Sequence, residues 1–497
     1  MNEVINGRYS ISIDLGTGSC KVCALDERGM IAASAGKVYT THSPHQGWAE
    51  QDPGDWLKAV SGAVSELGAK IELGEVALIT LTGAAHIAVL LDGSDRPVRR
   101  ALLWSDQRSR SEAERLRSEC GNFILSHSLN NVTTSWTLPH LVWVREQESE
   151  VWKAMRRICL SKDFILLALT GERKTDPATA MSAMLYDAAN GCWSERLCAL
   201  AGIDLSILPE VVPADHIAGT VTALAAKEFG LPEGIPVFNG TLDSATETYG
   251  AGATCRGDIV IRVGTAGGIH LIKDSPSPDA QLLTYPFPKG GLWYSQAGTN
   301  AAGSAISWAV TAAGGTRIAA DYEAFSRMAS TVPAGADGLL FHPFLAGERT
   351  PYWDPELRGT FTGASLRHGK EHFARSVLEG VAFSLCDASL AICDRSSLPA
   401  CIRVVGGGGA DPLLMEILST TLDRELLVLG GIDSAFGAAL FGQRCSGRAT
   451  VPIEKQPIRT DCIKPKLEDS DAYAEAFGRY RRGCTHLQEL YRDGITL

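Results

Sequence analysis

Three observations predict an α/β fold in which two related domains face each other across a cleft. The 497 residues exceed what one hydrophobic core usually holds. Strand-like and helix-like patterns alternate along the chain. Two stretches also share one grammar: an apolar strand, a Gly-Thr-x-Gly turn, then a second apolar strand. They are "SISIDLGTGSCKVCALD" at 10–26 and "GDIVIRVGTAGGIHLIKD" at 257–274. Such a repeat reads as a duplicated unit.

In chain order, strands at 9–14 and 20–25 flank the first turn. This is strand–turn–strand, and nothing spells GxxxxGK[ST], so the turn is not a P-loop. Backbone N–H groups in a glycine turn can still cradle an anion, and Asp14 beside them suggests a metal–phosphate site. A plain hairpin that contains glycines is the alternative. An amphipathic helix is expected at 54–68. The apolar run 76–91 is broken by Thr, Gly and His, so it reads as strands at 76–82 and 86–91, too short for a membrane span. Residues 105–170 look mainly helical, and "GERKTDPATAMSAMLYD" returns to loop.

"IPVFNG" reads as a strand that places Asp243 just past its end, where open α/β sheets hold ligands. Asp243 could take the proton of an attacking hydroxyl, or it could cap a helix that begins at Ser244. After the second hairpin come a long loop at 342–363 and a helix at 369–393, with Phe373, Val377, Val381 and Leu385 on one stripe. "IRVVGGGGADPLLMEILSTTLD" at 402–423 is strand, glycines, then a helix with Asp411 as N-cap and Pro412 in its first turn. "DSAFGAALFG" at 433–442 is a small-residue helix suited to close packing. Turns at Gly16, Gly264 and Gly406–Gly409 together suggest a nucleotide held between the domains.

A net charge of −11 without a basic run argues against nucleic-acid or anionic-membrane partners. The 13 cysteines follow no framework spacing, and "MNEVINGRYS" is no secretion signal, so a reducing cytoplasm with free thiols is expected. Cys20 and Cys23 have zinc-like spacing, but a strand turns them to opposite faces. His368 and His372 could share a metal at a helix start, but no third ligand is evident and a solvated helix face is the better reading.

Taken together, these stretches resemble the FGGY family of carbohydrate kinases over roughly 9–445. "DLGTGS", "GWAEQDPGDWL" (47–57), "HIAVLLDGSDRPVRRALLWSDQRS" (86–109), "LAGERTPYWDPELRGTFTGASLRH" (345–368), "GGGGADPLLMEILSTTLDREL" and "SAFGAAL" carry the likeness in order. The resemblance implies two RNase H-like domains of the actin and sugar-kinase type, at 1–252 and 253–497. ATP and Mg²⁺ would meet a small-molecule sugar in the cleft. It implies Asp243 as the catalytic base and Asp14 on Mg²⁺ and phosphate. Gly16, Thr17, Gly264 and Thr265 would hold phosphates, and Gly407 and Gly408 the adenosine side. His86, Trp104 and Asp106 would line the sugar side, and a homodimer is expected. Within the family, the chain looks most like the kinases of xylulose. It departs from them in carrying Ala84-Ala85 where those carry Gln-Met, and "TLDSATETYG" where Asp-Asn-Ala is usual. Another ketose, a polyol or an aldonate is therefore an alternative acceptor. An actin-like ATPase or a non-catalytic sugar sensor is the alternative from another class.

Overall fold

A computed structural model describes residues 7–276, 278–453, 456, 458 and 460–492. The first sheet is built on the opening hairpin. β1 (Tyr9–Leu15) pairs antiparallel with β2 (Ser19–Leu25), and β2 with β3 (Ile31–Val38). On the other side of β1 lie β4 (Val76–Gly83) and then β6 (Pro236–Leu242), both parallel, with β5 (Ile217–Thr220) antiparallel at the edge. The second sheet repeats this plan. β7 (Ile259–Val263) and β8 (Gly267–Lys273) form the hairpin, and β10 (Trp293–Thr299) extends it, with β9 (Leu283–Pro286) outside. β11 (Cys401–Val405) and β12 (Glu425–Leu429) add in parallel, and β13 (Thr460–Ile463) closes the edge antiparallel. The repeat seen in two short sequences is thus a repeat of whole sheets.

β1 and β4 are buried on both faces along nearly their whole length, and so is β7 apart from Arg262. α1 (Pro53–Gly68) starts at an Asp52 cap and buries Trp56, Val60, Val64 and Leu67. α4 (Lys370–Ile392) buries Val377, Val381 and Leu385, while Phe373 remains partly exposed against Phe361. α5 (Pro412–Leu422) follows Asp411, whose carboxylate accepts from the Leu413 and Leu414 amides. Among the described residues no helix is long and apolar enough to cross a membrane.

Three local expectations change. The strand expected at 86–91 is Ala88–Leu91, and it leaves the main sheet to pair with Arg157–Leu160. The segment read as loop after residue 170 contains the helix Pro177–Ser182, because buried Asp176 accepts from the Ala178 and Thr179 amides. Asp243 does not cap its helix. α3 is Asp243–Gly250, Leu242 holds the cap position, and the Asp243 carboxylate accepts only from the adjacent Ser244 N–H at 2.7 Å.

Two features aim the end of β6. The β4–β6 register slips between Phe238 and Thr241, with Gly240 at φ +68°. A Cβ there would lie 1.6 Å from the Leu81 carbonyl oxygen, so this bulge admits glycine alone. Buried Lys162, on α2 (Ser161–Thr170), donates to the Asn239 carbonyl at 3.2 Å and pairs with Asp163 at 2.6 Å, clamping the bulge from behind. Finally, α6 (Ser434–Cys445), from late in the chain, packs on β1, β2, β4 and α3.

Candidate active site

The first hairpin turns because the Gly16 N–H donates to the Ser19 carbonyl at 3.1 Å. Asp14, near the end of β1, is buried. Its Oδ2 accepts from the Ser434 hydroxyl at 2.5 Å, and Oδ1 has no hydrogen-bond partner among the described residues. Burial pushes the Asp14 pKa up to about 8; the Ser434 bond opposes this, and the charges of Asp243, Asp433 and Glu247 add to it. A carboxylate that resists its own charge, with one orphaned oxygen, suits a cation. Among the described residues no three His, Cys, Asp or Glu side chains form a complete cage. One carboxylate beside a phosphate turn is, however, a donor set that Mg²⁺ takes with water and substrate phosphates.

Thr17, at the tip, accepts from the Trp104 indole N–H at 3.0 Å, and its carbonyl accepts from the Gln51 amide at 2.7 Å. In the second hairpin the Gly264 N–H donates to the Ala266 carbonyl at 3.1 Å, and Thr265 is exposed. The helix Gly303–Ala312 starts against this tip. Its Gly303 amide donates to the Gly264 carbonyl at 2.8 Å, and the Ser304 amide to the Thr265 carbonyl at 3.0 Å. The third turn locks onto the second hairpin. A Cβ on Gly408 would lie 2.3 Å from Val263 Cγ1, and one on Gly406, at φ +94°, 2.6 Å from the Val263 carbonyl. Gly407 faces open space. Packing therefore explains Gly408 by itself, and Gly407 is the position open to a ligand.

At the head of α3, burial raises the Asp243 pKa and the Arg262 guanidinium counters it. Glu247, one turn further along α3, pairs with Arg262 Nε at 3.1 Å; burial raises its pKa to about 7, with Arg262 opposing. Lys21 on β2 forms an ion pair with Asp433, the cap of α6. Asp14, Asp243, Glu247 and Asp433 thus act on one another around Arg262 and Lys21.

His86 follows the end of β4 at φ +68°, a region a bulky side chain enters only under constraint. The Ser182 hydroxyl accepts from its N–H at 3.2 Å, and the Thr137 hydroxyl donates to its carbonyl at 3.0 Å. Its ring lies 4.2 Å from the Trp136 ring, and its Nε2 shares a 3.0 Å hydrogen bond with Tyr285 Oη. Tyr285 belongs to the second sheet and stacks near Tyr294, whose hydroxyl bonds Ser244 at 2.9 Å beside Asp243. Sequence reading did not single out Trp136, Tyr285 or Tyr294, buried rings that pack around His86 and Ser244.

Asp106 requires a correction. It is 0% exposed, and both its oxygens bond within the protein: to the Ala49 amide at 2.6 Å and to Arg108 at 2.9 Å. Arg108 in turn bonds Glu50 and stacks on Trp48. Asp106 therefore braces the wall that carries Trp104 and offers no free oxygen to a sugar. Cys20 and Cys23 are buried free thiols, and His372 pairs with Asp337 and Glu371.

Burial, with help from nearby His140, drops the His86 pKa to about 3, so its imidazole is neutral. The unfolded chain binds this proton below about pH 6.5 and the folded chain does not, so the stability it contributes is present above that pH and lost as pH falls. The ¹⁵N shifts of the His86 ring should stay those of a neutral imidazole from about pH 7 to about pH 5. A midpoint near pH 6.5 would contradict this burial.

Comparison with known proteins follows the same lines. The N-terminal domain model of the FGGY family of carbohydrate kinases matches residues 9–250, and its C-terminal domain model matches 259–444. A xylulose kinase of Lactococcus lactis is 32% identical over 447 residues, 87% of this chain and 88% of that one. The crystal structure of a xylulose kinase from Rhodospirillum rubrum superposes with a TM-score of 0.90 at 30% identity, covering 98% of this chain and all of that one. A gluconokinase of Bacillus subtilis is 27% identical over 457 residues, 88% of each chain.

Proposed function

The chain belongs to the FGGY family of carbohydrate kinases, which are ATP-dependent sugar kinases, and from that premise we propose that its acceptor is D-xylulose and its base Asp243. The observation that carries the base assignment is the place of Asp243: past the bulged end of β6, within the field of Asp14 and Arg262. The Asp243 carboxylate takes the proton of the sugar's terminal hydroxyl. The freed oxygen forms a bond to the γ-phosphorus, the bond from that phosphorus to the bridging oxygen breaks, and ADP leaves with the electron pair.

The chain's own groups do the positioning. The Gly16 and Gly264 turns, with the Thr17 and Thr265 hydroxyls at their tips, receive phosphate oxygens, and Gly407 leaves room for the adenosine side. Asp14, with its orphaned Oδ1, would hold Mg²⁺, which would supply charge neutralisation on the phosphates. Neutral His86, whose Nδ1 has no partner among the described residues, reads a sugar hydroxyl, while the part-exposed Trp104 ring covers a C–H face. The first sheet (β1–β6) and the second (β7–β13) support the two walls, and their closure excludes water.

The likeness to xylulose kinases supports the choice of sugar. A second reading rests on Ala84 and Ala85, small residues ahead of His86, and on the likeness to a gluconokinase. A coupled ADP-release assay separates the two, run with D-xylulose, L-xylulose, D- and L-ribulose, glycerol, erythritol, gluconate and no sugar. D-Xylulose is expected to give the highest kcat/KM, by about tenfold or more over its isomers. Preference for gluconate would replace this reading and make the two alanines the first positions to change.

A further inference from the structure

In the chemistry just described Arg262 supplies only a field on Asp243 and touches no reacting group. β7 reads Ile-Val-Ile-Arg-Val, and every residue except the arginine is buried. A charge inside an apolar strand needs a reason, and the core supplies none. The side chain is 52% exposed. Glu247 holds its Nε at 3.1 Å, and the guanidinium carbon lies 3.6 Å from where a Cβ on Gly264 would be, so the group lies along the tip of the second hairpin. Its charge acts on Glu247, Asp243 and Asp14 in turn. Glu247 thereby holds the guanidinium beside the second phosphate turn, within the field of the base and the metal-side aspartate.

From this geometry we infer that Arg262 is a further catalytic residue: it touches the γ-phosphoryl group during transfer, and Glu247 tethers its plane over the hairpin. The inference rests on the reading of Asp243 as base. During transfer, negative charge spreads over the equatorial oxygens of the moving group, and a preorganised guanidinium neutralises it in bidentate fashion. Glu247 has a matching use. Without a tether, a long side chain on a strand end would lose rotamer freedom at the moment of reaction. With one, that loss is taken in folding. The rival account is that Arg262 only cancels the charge of buried Glu247.

A mutant cycle on the full chain, followed by ADP release with ATP and D-xylulose, separates these accounts. Arg262→Ala should lower kcat about 10²- to 10³-fold and leave both KM values within about threefold. Arg262→Lys, a charge without the fork, should fall between. Added methylguanidine should restore part of the Arg262→Ala rate. In Arg262→Ala/Glu247→Gln no charge is left to cancel, yet the rate should stay as low as in Arg262→Ala. Recovery of the double variant to about wild-type kcat, or unchanged kcat in both single Arg262 variants, would overturn the inference. Asp243→Asn is the control. If it is inactive while the Arg262 variants turn over normally, the arginine assignment alone fails. If it retains full activity, the base reading fails first.

Discussion

Asp243→Ala loses sugar-stimulated ADP production, with kcat down about 10³-fold, while calorimetry still detects ATP and sugar binding. The carboxylate has little structural work whose loss could produce the same result. It accepts a single bond, from the neighbouring Ser244 N–H, and does not cap α3. Removing it takes one acidic group from the first turn of a helix, worth about 0.5 kcal/mol, and leaves no buried partner unpaired. Its setting is that of a working base. Burial holds its pKa up, which strengthens it as a proton acceptor, and the Arg262 guanidinium opposes that rise. Because the proton moves as the oxygen attacks, its removal falls on kcat rather than on affinity. Retained sugar-dependent turnover in Asp243→Ala would remove Asp243 from the mechanism, and lost ATP binding would make it a structural residue.

The hairpins and Asp243 were legible in the sequence because each is a local pattern: an acid beside glycines, or an acid at a strand end. The duplicated sheet was legible for the same reason, since two copies of one short grammar required two copies of its surroundings. What was missed lies in contacts between distant parts of the chain. The Ser434 hydroxyl that holds Asp14 is 420 residues away in sequence, and Tyr285, bonded to His86, is 199 away. No local pattern announces such a pair. Glu247 and Arg262 stood closer to view. Glu247 is one helical turn beyond Asp243 and so shares its face, and Arg262 interrupts an apolar strand just before a phosphate turn. Asp106 shows the opposite failure. Its motif was plain, but a motif does not say whether a carboxylate faces the cleft or the arginine two positions on, and here it faces the arginine. The helix after Asp176 was missed because a run of Thr, Asp and Pro reads as loop until the aspartate is seen accepting from two amides.

Gly437→Ala should destabilise the fold by about 2–4 kcal/mol and lower kcat, although the residue carries no side chain to contact substrate. The sequence marked its helix as one for close packing, and the structure shows how close. A Cβ on Gly437 would lie 1.8 Å from the Thr246 carbonyl oxygen and 2.5 Å from its carbon, both backbone atoms of α3. No rotamer change relieves that overlap. α3 and α6 must separate or tilt, and facing Gly250, whose own Cβ would lie 2.8 Å from Gly437 Cα, shows that the contact is tight along its length. α3 begins at Asp243, and α6 begins at Ser434, which bonds Asp14. Pushing the two helices apart therefore moves Asp243 and Asp14 relative to each other. A displacement near 1 Å at such a site costs about 10²-fold in rate, with less effect on KM. Gly93→Ala provides the comparison, because nothing lies within 4 Å of its added Cβ. Thermal unfolding and kcat measured on both variants decide the matter. If Gly437→Ala unfolds and turns over like Gly93→Ala, the helix crossing does not set the distance between Asp14 and Asp243. If it unfolds earlier but keeps its kcat, the crossing supports the fold alone. If both fall together, one backbone contact between segments nearly 200 residues apart (Thr246 and Gly437) holds the two carboxylates in register for transfer.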